Sequence, residues 1–220
     1  WVFETGADTT YTYVCFVDDC GVVYGDNSTC LFDFNIHEAV DLWLSDQASA
    51  IATYGHISDW NVSNVTDMSE LFKYASNFNG NLSSWDVSSV TKMNYMFQEA
   101  FNFNGDLSLW DVSSVTNMRW MFLYASNFNG DLSSWDVSGV TDISGMFYNT
   151  TFNGDLSLWD VSSVTNMSQL FRMTYSFNGD LSSWDVSSVT DMSEMFYDTS
   201  NHNHDLSSWD VSNVTSMAGM

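Results

Sequence analysis

The sequence predicts a repeat solenoid of right-handed parallel coils, each a short β-strand followed by a helical turn, behind an N-terminal helical cap. Three observations predict it. Trp60, Trp85, Trp110, Trp135, Trp159, Trp184 and Trp209 are separated by 25, 25, 25, 24, 25 and 25 residues. The residues between them recur almost verbatim as W-D-V-S-S-V-T-x-M-x-x-M-F-x-x-A-S-x-F-N-G-D-L-S-S. Within each copy the apolar spacing switches from two to three, so a single coil cannot bury its own apolar face and must stack on neighbours.

The elements follow in chain order. Residues 1–33 read as a small Cys-containing β extension, because the β-branched and aromatic runs 10–17 and 22–24 flank Asp18-Asp19-Cys20-Gly21 as a hairpin would. Cys15, Cys20 and Cys30 are disulfide candidates of an oxidising compartment, since no histidine stands near them at metal-ligand spacing. Three is odd, so one thiol stays free or pairs with another chain, and the connectivity is open. Residues 34–56 read as the helical cap: Ile36, Ala39, Val40, Trp43 and Leu44 form one stripe, and Asn35 with Glu38 fits a capping box. A second helix from about Asp46 stops at Gly55, a natural residue after a helix end.

Residues 57–220 hold about six and a half coils. In Leu82-Ser83-Ser84-Trp85-Asp86-Val87 the inward Trp85 and Val87 alternate with outward Asp86, which predicts the strand. From Val90 the spacing of three (Val90, Met93, Met96, then Phe97) predicts a helical or 3₁₀ turn. Phe103-Asn104-Gly105 turns the chain back. Each buried indole N–H needs an acceptor, for which Ser83 or Ser84 and their equivalents are candidates. The Leu-x-x-Trp-x-Val-x-x-Val stretch also fits a leucine-rich-repeat frame with tryptophan at a usual leucine place. Two coils depart from the pattern: one is a residue short at Asn149-Thr150-Thr151, which should bulge one turn, and one has His202-Asn203-His204 in place of Phe-Asn-Gly.

The run Phe-Asn-Gly-Asp-Leu-Ser-Ser-Trp-Asp-Val-Ser-Ser-Val-Thr-Asp-Met-Ser-Glu-Met-Phe over 177–196 resembles the BspA-like surface-protein repeat, a leucine-rich-repeat relative. The resemblance covers 57–220, with Tyr54-Gly55-His56-Ile57-Ser58-Asp59-Trp60 similar to the family's lead-in. It implies a secreted or cell-surface protein linked to adhesion. It carries over no catalytic residues.

Composition narrows the function. With 28 acidic against four basic residues and a formal charge of −24, the chain lacks the clustered cations that nucleic acid requires. Aromatics at 16% and apolar residues at 45% argue for folding rather than acidic disorder. No apolar run reaches the length of a membrane span, and the chain opens at Trp1 as a processed or partial chain would.

Asp86, Asp111, Asp136, Asp160, Asp185 and Asp210 form one outward column, and Asn81, Asp106, Asp131, Asp155, Asp180 and Asp205 a second. Neighbouring carboxylates at one coil spacing match a retaining glycosidase pair in distance, but the arrangement recurs in every coil and so marks architecture. Repulsion within the first column makes calcium, or a partner, its candidate ligand; otherwise salt, neighbouring hydroxyls and raised carboxyl pKa values relieve it. His202 and His204 with Asp205 are the one candidate metal cluster, set against a merely degenerate coil. Sequons at Asn27, Asn61, Asn64, Asn81, Asn149, Asn166 and Asn213 are glycosylation candidates, because most lie in columns where other coils carry small or polar residues.

The expectation is a non-enzymatic extracellular surface protein, structural or adhesive, with attached glycans and a cell-surface or matrix partner. An open last coil and the strand-forming 11–17 segment suggest head-to-tail polymerisation with itself into a filament, set against further repeats or a cap beyond Met220. The alternative is a ligand- or calcium-binding recognition module.

Overall fold

The computed structural model describes residues 30–220, of which Leu31–Met220 form one compact unit. The expected hairpin, Cys15, Cys20 and Asn27 lie outside the described residues. Cys30 is buried and disulfide-bonded.

Two helices open the unit: α1, Ile36–Ser45, and α2, Gln47–Tyr54, followed by a 3₁₀ turn at Ile57–Asp59. Helix α1 buries Ile36, Ala39, Val40 and Trp43, while Leu44 is left 42% exposed. The capping box does not form: Asn35 makes no side-chain capping bond, and its Oδ1 accepts the Phe32 N–H instead. Asp46 caps α2 through the Ser49 N–H and hydroxyl, and Gly55 ends it at φ 79°, a left-handed angle that only glycine adopts without strain.

From Trp60 onward the chain runs in coils stacked one on the next, but they are not those of the predicted leucine-rich-repeat-like β/helical solenoid. Among the described residues there is no β-strand, no sheet and no helix beyond Asp59. Parallel pairing is reduced to isolated bridges joining Asp67, Lys92, Asn117, Asp142, Asn166, Asp191 and Ser216. The Trp-Asp-Val alternation is a product of turns. The Trp85 N–H donates to the Leu82 carbonyl at 3.1 Å and the Val90 N–H to Val87 at 2.9 Å, so each apolar residue closes a turn and points inward without a strand.

The spacing of three after Val90 has a similar origin. Met96, Gln98 and Ala100 close turns on Met93, Tyr95 and Phe97, while the intervening N–H groups of Met93, Tyr95, Phe97 and Glu99 donate to the next coil at Asn117, Arg119, Met121 and Leu123. No helix is possible where alternate donors leave the local chain. This weave needs two left-handed residues per coil, such as Tyr95 at φ 60° and Glu99 at φ 56°. Each costs an L-residue about 1 kcal/mol, and the inter-coil bond made by the same N–H offsets it.

The core is a set of columns. Phe72, Phe97, Phe122, Phe147 and Phe171 stack with centroids 5.4–6.0 Å apart, beside a second column of Phe78, Phe103, Phe128, Phe152 and Phe177. The tryptophans are inward, as expected, but their acceptors are not serines. The indole N–H of Trp110, Trp135, Trp159, Trp184 and Trp209 donates to the leucine carbonyl one coil earlier at 2.9–3.0 Å. The short coil is tightened rather than bulged: the Phe152 N–H donates to the Thr150 hydroxyl at 3.2 Å, where other coils donate to a carbonyl three residues back.

The cap terminates two of the donor ladders that point toward it, the threonine and the tryptophan ones. The Thr91 N–H donates to Thr66, Thr116 to Thr91, and so on up the stack. At the bottom, Asp33 takes the place of a preceding threonine carbonyl, accepting from the Thr66 N–H and hydroxyl, both at 2.6 Å, and from the Asp67 N–H at 3.1 Å. Likewise the Trp60 indole donates to the Gly55 carbonyl and Trp85 to Ile57.

Candidate functional site

The outward acids are turn residues. In Asp86, Asp111, Asp136, Asp160, Asp185 and Asp210, Oδ1 accepts the N–H of the serine two residues on at 3.0–3.1 Å. In the first four the serine hydroxyl donates as well, at 2.6–2.7 Å. Asp106, Asp131, Asp155, Asp180 and Asp205 repeat the N–H bond in the second column. This is the local side-chain-to-backbone bond that aspartate and asparagine offer at turns, and Asn61 and Asn81 make it too.

The electrostatic sign is therefore opposite to the sequence expectation. The serine hydroxyl and N–H hold the Asp86, Asp111, Asp136 and Asp185 carboxyls below the usual range, and they outweigh the upward push of Asp86 on Asp111 and of Asp111 on Asp136. Asp210, whose serine N–H contributes first, follows the same direction. Among the described residues no three His, Cys, Asp or Glu side chains converge to hold a metal ion. That includes the His202, His204 and Asp205 cluster. His202 takes the phenylalanine place in the second ring column, stacked on Phe196 at 4.3 Å, and burial pushes its pKa down. The His204 Nε2 lies 2.8 Å from the Asn178 carbonyl.

The sequons differ in setting. Asn61, Asn64, Asn81 and Asn213 are exposed, whereas Asn149 and Asn166 are half-buried. Asn149 sits at φ 55°, and Asn166 occupies the bridged column with Oδ1 engaged by Ser168. Asn213 donates its amide to the Ser187 carbonyl at 2.7 Å.

The structure also assembles a feature that the repeat pattern conceals. The residues marked x in the consensus, near and at the left-handed positions, gather on one face and differ from coil to coil. Tyr95 stacks on Trp120 at 6.5 Å, Trp120 meets Tyr148 at 6.0 Å, and Tyr124 meets Tyr148 at 5.2 Å. Arg172 lies over Tyr148 and Tyr197 and pairs with Glu194, while Lys73 lies over Tyr74 and Tyr95 and Arg119 over Trp120. Three of the four basic residues of the chain thus stand on this strip. The signal that would have found it is the variation at x within an otherwise constant repeat.

No helix among the described residues is long and apolar enough to cross a membrane. No curated protein and no solved structure matches the chain. A family profile matches residues 44–153 and again 134–220, which together take in every coil, and the chain belongs to the family described as Mycoplasma protein of unknown function, DUF285.

Proposed function

We propose that the chain is a non-enzymatic structural or adhesive protein of a cell surface, related to the BspA-like surface repeats, that works through the extended surface its coils create. The observation that carries this reading is the repetition of one closed Asp–Ser turn in coil after coil. Those carboxylates shape the chain, and the first coil, with Asn61 and Asn81 in their place, closes the same turns without them. Attached glycans at the exposed sequons Asn61, Asn64, Asn81 and Asn213, and head-to-tail extension into a fibre, belong to the same proposal. Antibodies to the repeat should label intact source cells, and soluble repeat protein should compete with their attachment. Labelling only after permeabilisation, with no competition, would reject the reading.

A second reading, a recognition module, is favoured by the aromatic strip. Residues that vary while the scaffold stays constant are those free to be selected for a partner, and Tyr, Trp and Arg are the side chains enriched at binding hot spots. Replacing Trp120 and Tyr124 with serine should abolish attachment under this reading and leave it unchanged if attachment uses the acidic faces.

A further inference from the structure

Between the helical cap and the first coil lies a groove of about 560 Å³, lined by Trp43, Leu44, Ile57, Tyr74, Phe78 and Gly80 among others. It is internal to Leu31–Met220, and it marks a donor ladder of the first coil that the cap leaves open. In the coils above, the corner asparagine N–H donates to the asparagine Oδ1 one coil earlier: Asn104 to Asn79, Asn129 to Asn104, Asn153 to Asn129 and Asn178 to Asn153, all at 2.8–2.9 Å. Two residues before, the Asn102 N–H donates to the Ser76 carbonyl and Asn127 to Phe101, both at 3.2 Å, a bond that Thr151 and Ser176 do not repeat in the next two coils. The ring between them stacks on the ring below, Phe103 on Phe78 at 5.9 Å and Phe128 on Phe103 at 6.0 Å.

At the bottom of this ladder the Asn77 and Asn79 N–H groups have no partner among the described residues, although the threonine and tryptophan ladders beside them are closed by Asp33, Gly55 and Ile57. The unmet pattern is a carbonyl, an aromatic ring and an amide oxygen in sequence. Unpaired backbone donors at such an edge are a template for another chain, and the volume lies within the range of ligand sites.

We propose that this groove is a binding site for an extended peptide segment of the type x-Asn-Phe-Asn-Gly, the molecule's own corner sequence supplied by another polypeptide. The x carbonyl accepts from Asn77 N–H, the ring packs on the exposed Leu44 at the rim of the buried Phe78 and Trp43, and the second asparagine's Oδ1 accepts from Asn79 N–H. The chain's charge of −24 favours a neutral or basic segment over an acidic one. The site stands whether or not the protein is a surface adhesin.

The test titrates the 220-residue protein with an end-capped peptide of sequence Ser-Asn-Phe-Asn-Gly-Asn-Leu, which has no charged side chain, and follows backbone amide resonances. Saturable shifts should centre on Asn77 and Asn79. Replacing the peptide's second asparagine with alanine should weaken binding at least tenfold, as should Leu44→Lys in the protein, a change at an exposed position that spares the core. Absence of saturable shifts, shifts centred elsewhere, or equal affinity for the alanine peptide would each overturn the proposal.

Discussion

At Asp136, one oxygen accepts both the N–H and the hydroxyl of Ser138, a pair of bonds that asparagine makes equally well at Asn61 with Ser63. Asp136→Asn should therefore leave stability within about 0.5 kcal/mol, whereas Asp136→Ala should cost up to about 1 kcal/mol, the net worth of a solvent-facing hydrogen bond. The folded carboxyl is held below its unfolded value, so its contribution is present above an unfolded pKa of about 3.9 and is lost as pH falls through the depressed folded one. Thermal melts of wild type and Asp136→Asn should coincide at pH 7 and separate below about pH 4, with wild type losing more. Gly145 makes the opposite demand. It has φ +59°, and a Cβ there would stand 2.8 Å from the Trp120 ring. Gly145→Ala should destabilise by about 1–2 kcal/mol from the backbone alone, and a melt unchanged within error would refute that account.

The junction between cap and coils is where an element, rather than a residue, sets stability. Asp33 gathers three donors, and although burial raises its pKa, the Thr66 hydroxyl and the N–H groups of Thr66 and Asp67 bring it down overall. Asp33→Ala should cost about 1–2 kcal/mol, comparable to losing a helix cap. The loss should appear in hydrogen exchange as earlier opening of the first coil, with the coils beyond Trp110 unaffected. Uniform loosening along the chain would show that the coils unfold as one block. Of the cap, the sequence revealed Ile36, Ala39, Val40, Trp43 and the stop at Gly55, because helical periodicity and glycine's backbone freedom are local properties. The exposure of Leu44 was hidden, since it depends on how α1 lies over the first coil.

For the whole molecule, 24 uncompensated negative charges oppose compaction, and salt should screen them. The melting temperature should rise between 10 and 300 mM sodium chloride, roughly the range over which the Debye length shortens from 30 to 6 Å. Calcium chloride at matched ionic strength should give the same curve; a further rise specific to calcium would mean that the acidic columns bind it. The sequence by itself determined the period, the inward Trp, Val, Met and Phe columns and the outward acids, because a repeat of fixed length must stack and apolar residues must leave water. It did not determine the backbone that carries them. Alternation at Trp-Asp-Val and spacing of three after Val90 are read locally as strand and helix, yet both are met by turns whose remaining donors bond to the next coil. Only the tertiary structure decided that, since a donor's choice between its own turn and a chain 25 residues away depends on the neighbour being in place. The same reason hid the aromatic strip and the open Asn77–Asn79 edge: each exists only between coils.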